Sequence, residues 1–308
     1  MEIILEIIER IKHNIFPEAQ KSIESWKEFP WHLQDGKPTT WHPKSSQALA
    51  IDLFGTIKVS IQSERNHILN DIAESLGLPP GDDWSVDMEW TDENNYLKEK
   101  RQTQVDALAR SKGSIILFEC KFTEGSGGCS RFKNNICDGN YEGQINPQAG
   151  GSAPCILTGE GIRYWDIIPE VFRFDRSARL MPCPFREDWY QLMRNLVLAW
   201  ELAKNTGLKP AFVVVYADSD SNNFVFSKKW REGLTFAQYG RFEDNLKGVL
   251  PFKAKSYQDV LKDILSIKFD DSQASGKWER LNSRIYWKIE NQKQRQRAED
   301  EYDGSGKR

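Results

Sequence analysis

The sequence predicts an α/β fold, a mixed sheet flanked by helices, with helical extensions at both ends of the chain. Apolar residues recur at helical spacing as far as Leu76 and at strand spacing from Ser85 to Phe122. A strongly amphipathic helix then precedes a short run of β-branched residues. Residues 114–122 are apolar on both faces, as suits a strand covered on both sides.

The elements follow in order. Ile4, Ile7, Ile8 and Ile11 share one face of an opening helix, Ile3 to Ile15, and Trp26 to Pro43 reads as irregular. Ser45 suits an N-cap for a helix that stacks Leu49 on Leu53 and stops at Gly55. A second helix runs from near Ser63 through Ile68, Leu69 and Ile72 to Leu76, before Pro79-Pro80-Gly81. Strands are expected at Ser85 to Thr91, Gln102 to Ala109 and Ser114 to Phe122, with Lys112-Gly113 turning the last two into a hairpin. Glu124 to Ala153 reads as a long loop, and Cys155 to Ile168 as a source of short strands. The best helix spans about Glu187 to Lys204, closed by Gly207 and Pro210, and Ala211 to Tyr216 suits an interior strand. Ser256 to Ile267 is amphipathic, and Lys288 to Arg308 is a charged tail expected to fray. The expected organisation is an N-terminal helical extension (1–44), a core (45–220) interrupted by a cysteine-containing insertion at about 123–183, and a mainly helical C-terminal extension (221–308).

A chain of 308 residues with 39% hydrophobic content can bury a substantial core. The acids scattered through Met1 to Phe16 do not make a signal peptide, and no stretch is long and apolar enough to cross a bilayer, so no membrane partner is expected. Five cysteines are too few for a secreted disulfide scaffold of this size, which points to a cytoplasmic protein. A net charge of -3 decides nothing about nucleic acid. Its distribution is more informative: seven acids lie between Asp82 and Glu99, and eight basic residues between Lys98 and Lys133.

The chemistry concentrates on 114–122. Ile116, Phe118, Cys120 and Phe122 alternate with Ile115, Leu117, Glu119 and Lys121, so Glu119 and Lys121 share a face roughly 6 to 7 Å apart along the strand. Ionic groups on a covered face need a partner or a purpose. The hairpin brings Asp106 beside Glu119, and two hard carboxylates suit Mg²⁺ or Mn²⁺, with Lys121 placed to neutralise charge developing on a phosphate.

Asp106 followed by Glu119-Cys120-Lys121 resembles the motif of the PD-(D/E)XK nuclease superfamily, and the order helix, three-stranded meander, helix, strand resembles its restriction-endonuclease-like core. Val105 replaces the proline of the family name. The resemblance implies a metal-dependent deoxyribonuclease, an endonuclease serving restriction or defence against foreign DNA. It makes Asp106, Glu119 and the carbonyl of Cys120 the metal ligands and Lys121 the catalytic lysine. An accessory acid would come from Glu64 or Glu89; Gln47, Gln191, Arg194 and Asn195 also resemble features of uncharacterised bacterial members. DNA is the expected partner, bound through the basic residues between Lys98 and Lys133, and a homodimer is a candidate state. The alternatives are a non-catalytic DNA-binding or assembly module on the same fold, and a cysteine-metal interaction protein.

Cys129, Cys137, Cys155 and Cys183 follow the motif in loop-like surroundings. They are read either as buried thiols or as a quartet for structural Zn²⁺ or an iron-sulfur cluster, with no CxxC pair to decide it. The four histidines lie far from the motif in sequence and are read as structural, with a zinc role for His32 and His42, each after a tryptophan, as the alternative. Glu124-Gly-Ser-Gly-Gly128 lacks the Gly-Lys-Ser/Thr of a phosphate loop.

Overall fold

A computed structural model of the chain describes residues 2–137, 139, 155–174, 182–221, 223–269 and 271–291. The isoleucine period forms helix α1 (Glu2–Asn14), which buries Ile8 and Ile11. Up to Ser45 the chain is largely irregular, with a 3-10 turn at Ala19–Ser22 and a ribbon of β1 (Leu33–Gln34) and β2 (Lys37–Pro38). Ser45 caps α2 (Ser46–Ala50), its side chain accepting from Ala48 N at 3.2 Å. The stop predicted at Gly55 does not occur. A π-helical segment, Ile51–Gly55, leads directly into α3 (Thr56–Val59), and Gly55 has helical dihedrals. The glycine is needed for room: a Cβ there would stand 2.7 Å from Ser22 Oγ and 3.3 Å from Ala19 Cβ. Helix α4 (Gln62–Ser75) follows.

The predicted meander forms as β3 (Ser85–Thr91), β4 (Gln104–Arg110) and β5 (Ser114–Lys121), turned at Ser111 to Ser114. Beyond it, the described part of the insertion holds short helices: α5 (Ser130–Lys133) where the sequence suggested loop, and α6 (Ile156–Gly159) and α7 (Tyr164–Val171) where it suggested strands. The reason is visible in the spacing: Tyr164 and Ile168, and Ile167 and Val171, are four apart, so they bury one helical face. Residues 140–154 lie outside the described residues. Helix α8 (Trp189–Thr206) ends at Gly207, whose φ of 74° supplies the left-handed cap, and leads into β6 (Lys209–Tyr216). Helix α9 (Val225–Arg231), strand β7 (Phe252–Ser256), helix α10 (Tyr257–Ser266) and helix α11 (Ser272–Glu290) complete the chain.

The sheet runs β3-β4-β5-β6-β7, antiparallel through β5 and parallel beyond it. One face, carrying Ile116, Phe118 and Cys120, packs on α1, α2, α4, α10 and α11; the other, carrying Ile115 and Leu117, packs on α7 and α8. Strand β7 and helix α11 are not foreseen in the sequence, and both join the body that the 45–220 core occupies. Lys288 is therefore no part of a fraying tail. It is 1% exposed on α11, and its Nζ donates to Asp52 Oδ2 at 2.5 Å. Residues 292–308 of that expected tail lie outside the described residues.

Candidate active site

The strands part where the acids are. The β4–β5 ladder pairs Ala107 with Phe118 and goes no further toward Asp106 and Glu119, the next pair in register. On the other side, Met88 pairs with Ala107 and Trp90 with Val105, but the ladder is interrupted at Glu89 and Asp106. Glu89 has a φ of 50°, unusual for a residue with a Cβ and a local strain of roughly 1 kcal/mol or more. The interruption changes the parity of β4: Val105 packs on the α8 face and Ala107 on the opposite one. Asp106 is thereby released into the gap between strands, where its Oδ2 accepts from Cys120 N at 2.6 Å.

Glu119 and Lys121 project toward α8, as their alternation requires. Lys121 Nζ donates to Glu119 Oε1 and to Gln191 Oε1, both at 2.8 Å. Gln191 and Asn195 are four apart on α8, so both face the strand: Gln191 Nε2 donates to Glu119 Oε1 at 2.5 Å, and Asn195 Nδ2 to Glu119 Oε2 at 2.8 Å. Glu119 and Lys121 are buried, at 4% exposure each.

The third acid is Glu89. Its Oε1 accepts from Gln47 Nε2 at 2.8 Å, while Oε2 is buried with no hydrogen-bond partner and stands 3.7 Å from His32 Nε2. Gln47 also donates to Pro30 O at 3.1 Å and accepts from His32 N at 3.0 Å and from the Thr40 hydroxyl. It thus ties the segment carrying His32 to strand β3. Among the described residues, His32, Glu89 and Asp106 offer three potential ligand atoms within 4.8 Å of one another.

Electrostatics in this gap are strained toward neutralisation. Burial, then the charges of Glu119 and Glu89, pushes the Asp106 carboxyl well above the usual range, against Lys121 and the Cys120 N–H. Burial alone would lower the Lys121 ammonium; Glu119 chiefly, with Glu124 and Asp106, raises it instead. His32 feels the same contest, burial against the Glu89 carboxylate 3.7 Å away and the charges of Asp106 and Glu119, and is pushed up to about 9.

Asp106, Glu119, Gln191 and His32 line two adjoining cavities, one of which also takes in Glu89, Lys100, Arg101, Arg131 and Arg194. Of the basic residues predicted between Lys98 and Lys133, Arg110 and Lys112 are not on this wall: they lie at the opposite end of β4, near Ser85 and Asp83. Glu64 is not in the site either. It is engaged by Lys277 at 2.8 Å and by the Trp278 indole N–H, holding α4 to α11. His32, which the sequence pairs with His42 and not with the acidic motif, is the unforeseen member of this site. Its only local signal is that it follows a tryptophan, because its position depends on Gln47 and Glu89, both distant in the chain.

A five-stranded mixed sheet between helices, with acids and a lysine where its central strands diverge, is consistent with a restriction-endonuclease-type protein. The chain belongs to the family described as "Restriction Endonuclease associating with ARP", whose profile matches residues 3–276. The match takes in α1, the whole sheet and the start of α11. No curated protein and no solved structure matches the chain. Among the described residues, no helix is long and apolar enough to cross a membrane.

Proposed function

We propose that the protein is a metal-dependent nuclease that hydrolyses phosphodiester bonds in DNA, an endonuclease acting in restriction or defence against foreign DNA. The observation that carries this is the convergence of Glu89, Asp106 and Glu119 where three strands part, with Lys121 bonded to Glu119. A divalent cation fits these residues, because the buried Glu89 Oε2 accepts no hydrogen bond and Asp106 is crowded by two other carboxylates. Asp106, Glu119 and Glu89, with the Cys120 carbonyl and His32 at the rim, would hold Mg²⁺ or Mn²⁺; the imidazole favours tolerance of the latter. When bound, the ion polarises a phosphoryl oxygen and makes a water more acidic.

The protein's own groups supply the rest. Lys121 Nζ spends two of its three donors on Glu119 and Gln191, leaving one for a phosphoryl oxygen, whose developing charge the ammonium offsets. Gln191 and Asn195 fix the Glu119 carboxylate and so its direction of approach. Lys100, Arg101, Arg131 and Arg194 line the cavity as a basic wall for backbone phosphates, although Glu160 ties up Lys100 at 3.4 Å and Arg131 more closely.

Supercoiled plasmid tests the reading. Incubation with Mg²⁺ or Mn²⁺ should give nicked and linear products, and EDTA should suppress them. Lys121→Ala should reduce cleavage by about 100-fold or more while DNA retention on a gel persists. Plasmid that is bound but never cut with either metal would reject the nuclease in favour of a binding module.

A further inference from the structure

The nuclease reading leaves four cysteines unused. Cys129, Cys137, Cys155 and Cys183, separated in sequence by long stretches, line a single cavity together with Phe132, Trp165, Phe185 and Met193. None of them forms a disulfide. Their backbones are laced together: Gly139 N lies 3.3 Å from the Cys137 sulfur, Gly139 O accepts from Cys183 N at 2.6 Å, and Cys129 N donates to Arg186 O at 3.1 Å. The electrostatic influence of Cys137 is felt at Cys129, and that of both at Cys155, which places the three side chains close together.

Two features suit thiolates and not thiols. The backbone N–H groups of Arg131 and Phe132 favour the negative form of the Cys129 sulfur, and those of Leu157 and Thr158 that of Cys155. Such donors stabilise a negative sulfur. Burial nonetheless raises both thiols, because an apolar cavity does not support bare thiolates. A cationic centre bonded to the sulfurs resolves the conflict. The cavity wall also holds Arg131 and Arg186, and Arg131 Nε is buried without a hydrogen-bond partner.

The spacing selects the kind of centre. A tetrahedral zinc ion, with Zn–S bonds of about 2.3 Å, requires sulfurs roughly 3.8 Å from one another. Among the described residues, only His32, Glu89 and Asp106 bring three ligand atoms within 4.8 Å of one another, so these sulfurs stand wider than one ion requires. A cubane cluster takes its four cysteines at the corners of a polynuclear core, and so holds them further apart.

We propose that Cys129, Cys137, Cys155 and Cys183 bind a [4Fe–4S] cluster. A cluster of charge 2+ displaces one proton from each of the four thiols, forms four Fe–S(Cys) bonds and leaves a site of net charge 2−, with the protons released to solvent. Arg131 and Arg186, on the cavity wall and paired with Glu160 and Glu187, offset part of that charge. Arg131, Leu157, Tyr164 and Tyr190 line both this cavity and the acidic one. The cluster therefore pins the wall of the candidate active site to the body of the protein.

The test needs neither DNA nor cleavage. The full chain, expressed with added iron and purified without air, should contain about four iron and about four acid-labile sulfide per chain, with a broad absorption near 400 nm. About one zinc per chain without sulfide, or a stable, colourless, metal-free protein, would overturn the proposal. Cys129→Ser, Cys137→Ser, Cys155→Ser and Cys183→Ser should each lose most of the iron; undiminished iron in all four would refute the ligand set. Because the readout is elemental, its failure is separable from failure of the nuclease reading.

Discussion

Replacing Asp106 by asparagine should make the metal-free protein more stable while removing its response to metal. The carboxylates of Glu89 and Asp106 present ligand atoms within 4.8 Å of each other. At an effective dielectric constant of about 20, two unit charges at that separation repel by about 3 kcal/mol. Asparagine removes the charge, and its side-chain oxygen can still accept the Cys120 N–H. The wild-type carboxyl escapes part of the repulsion by keeping a proton, since its folded-state value is raised. A group raised in this way retains its contribution to stability below the unfolded value, about 4, and loses it as pH rises through the folded value. Asparagine mimics the protonated form at every pH. The variant's advantage should therefore be near zero below about pH 4, grow by up to about 1.4 kcal/mol per pH unit as pH rises toward the folded value, and level off above it; each kcal/mol is worth about 2 to 4 °C in melting temperature. Differential scanning calorimetry in EDTA measures this, and a second scan with Mn²⁺ should raise the wild type toward or past the variant. If Asp106→Asn melts below wild type at the higher pH without metal, or gains as much from Mn²⁺, the picture of three crowded carboxylates awaiting a cation is wrong.

Three further substitutions probe the frame around the site. Glu89 sits at a φ of 50°, so Glu89→Gly should be more stable than Glu89→Ala by about 1 kcal/mol, the reverse of the usual order in a strand; urea titration of the two variants decides it. Gly55→Ala would normally favour a helix by about 1 kcal/mol, but its Cβ meets Ser22 Oγ at 2.7 Å, and a loss of about 1 to 3 kcal/mol is expected in denaturant titration. Lys288→Met leaves Asp52, 0% exposed, with the Phe16 N–H at 2.6 Å and the Arg284 guanidinium at 3.6 Å but without its ammonium, and should cost about 2 kcal/mol; pairing it with Asp52→Asn should recover most of that, and thermal melts of the single and double variants check the coupling.

Much of the site could be read from the chain because its geometry is local. A tight turn at Lys112-Gly113 and a side-chain period of two bring Asp106 level with Glu119 and send Glu119 and Lys121 to one face, while the break in the ladder that turns Asp106 into the gap has no such local signal. Gln191 and Asn195 stand out in the sequence only through the resemblance; their bonds to Glu119 arise from the packing of α8 on β5. Gly55 was misread because glycine ends helices by conformation and enters them for space, and only the neighbouring 3-10 turn tells which applies. Strand β7 is short and half-buried, with lysines at alternate positions, so its pattern resembles loop; it becomes a strand because β6 offers it an open edge.

By itself, then, the sequence determined which residues share a strand face, which strands form a hairpin, and which acid and lysine meet there. Those relations span few residues and follow from backbone periodicity. The tertiary structure alone decided that Glu89 and His32 join Asp106, that Glu64 belongs to α11, and that four scattered cysteines open onto one cavity. Those relations depend on how whole faces bury against one another, a property of the packed chain that no local pattern encodes.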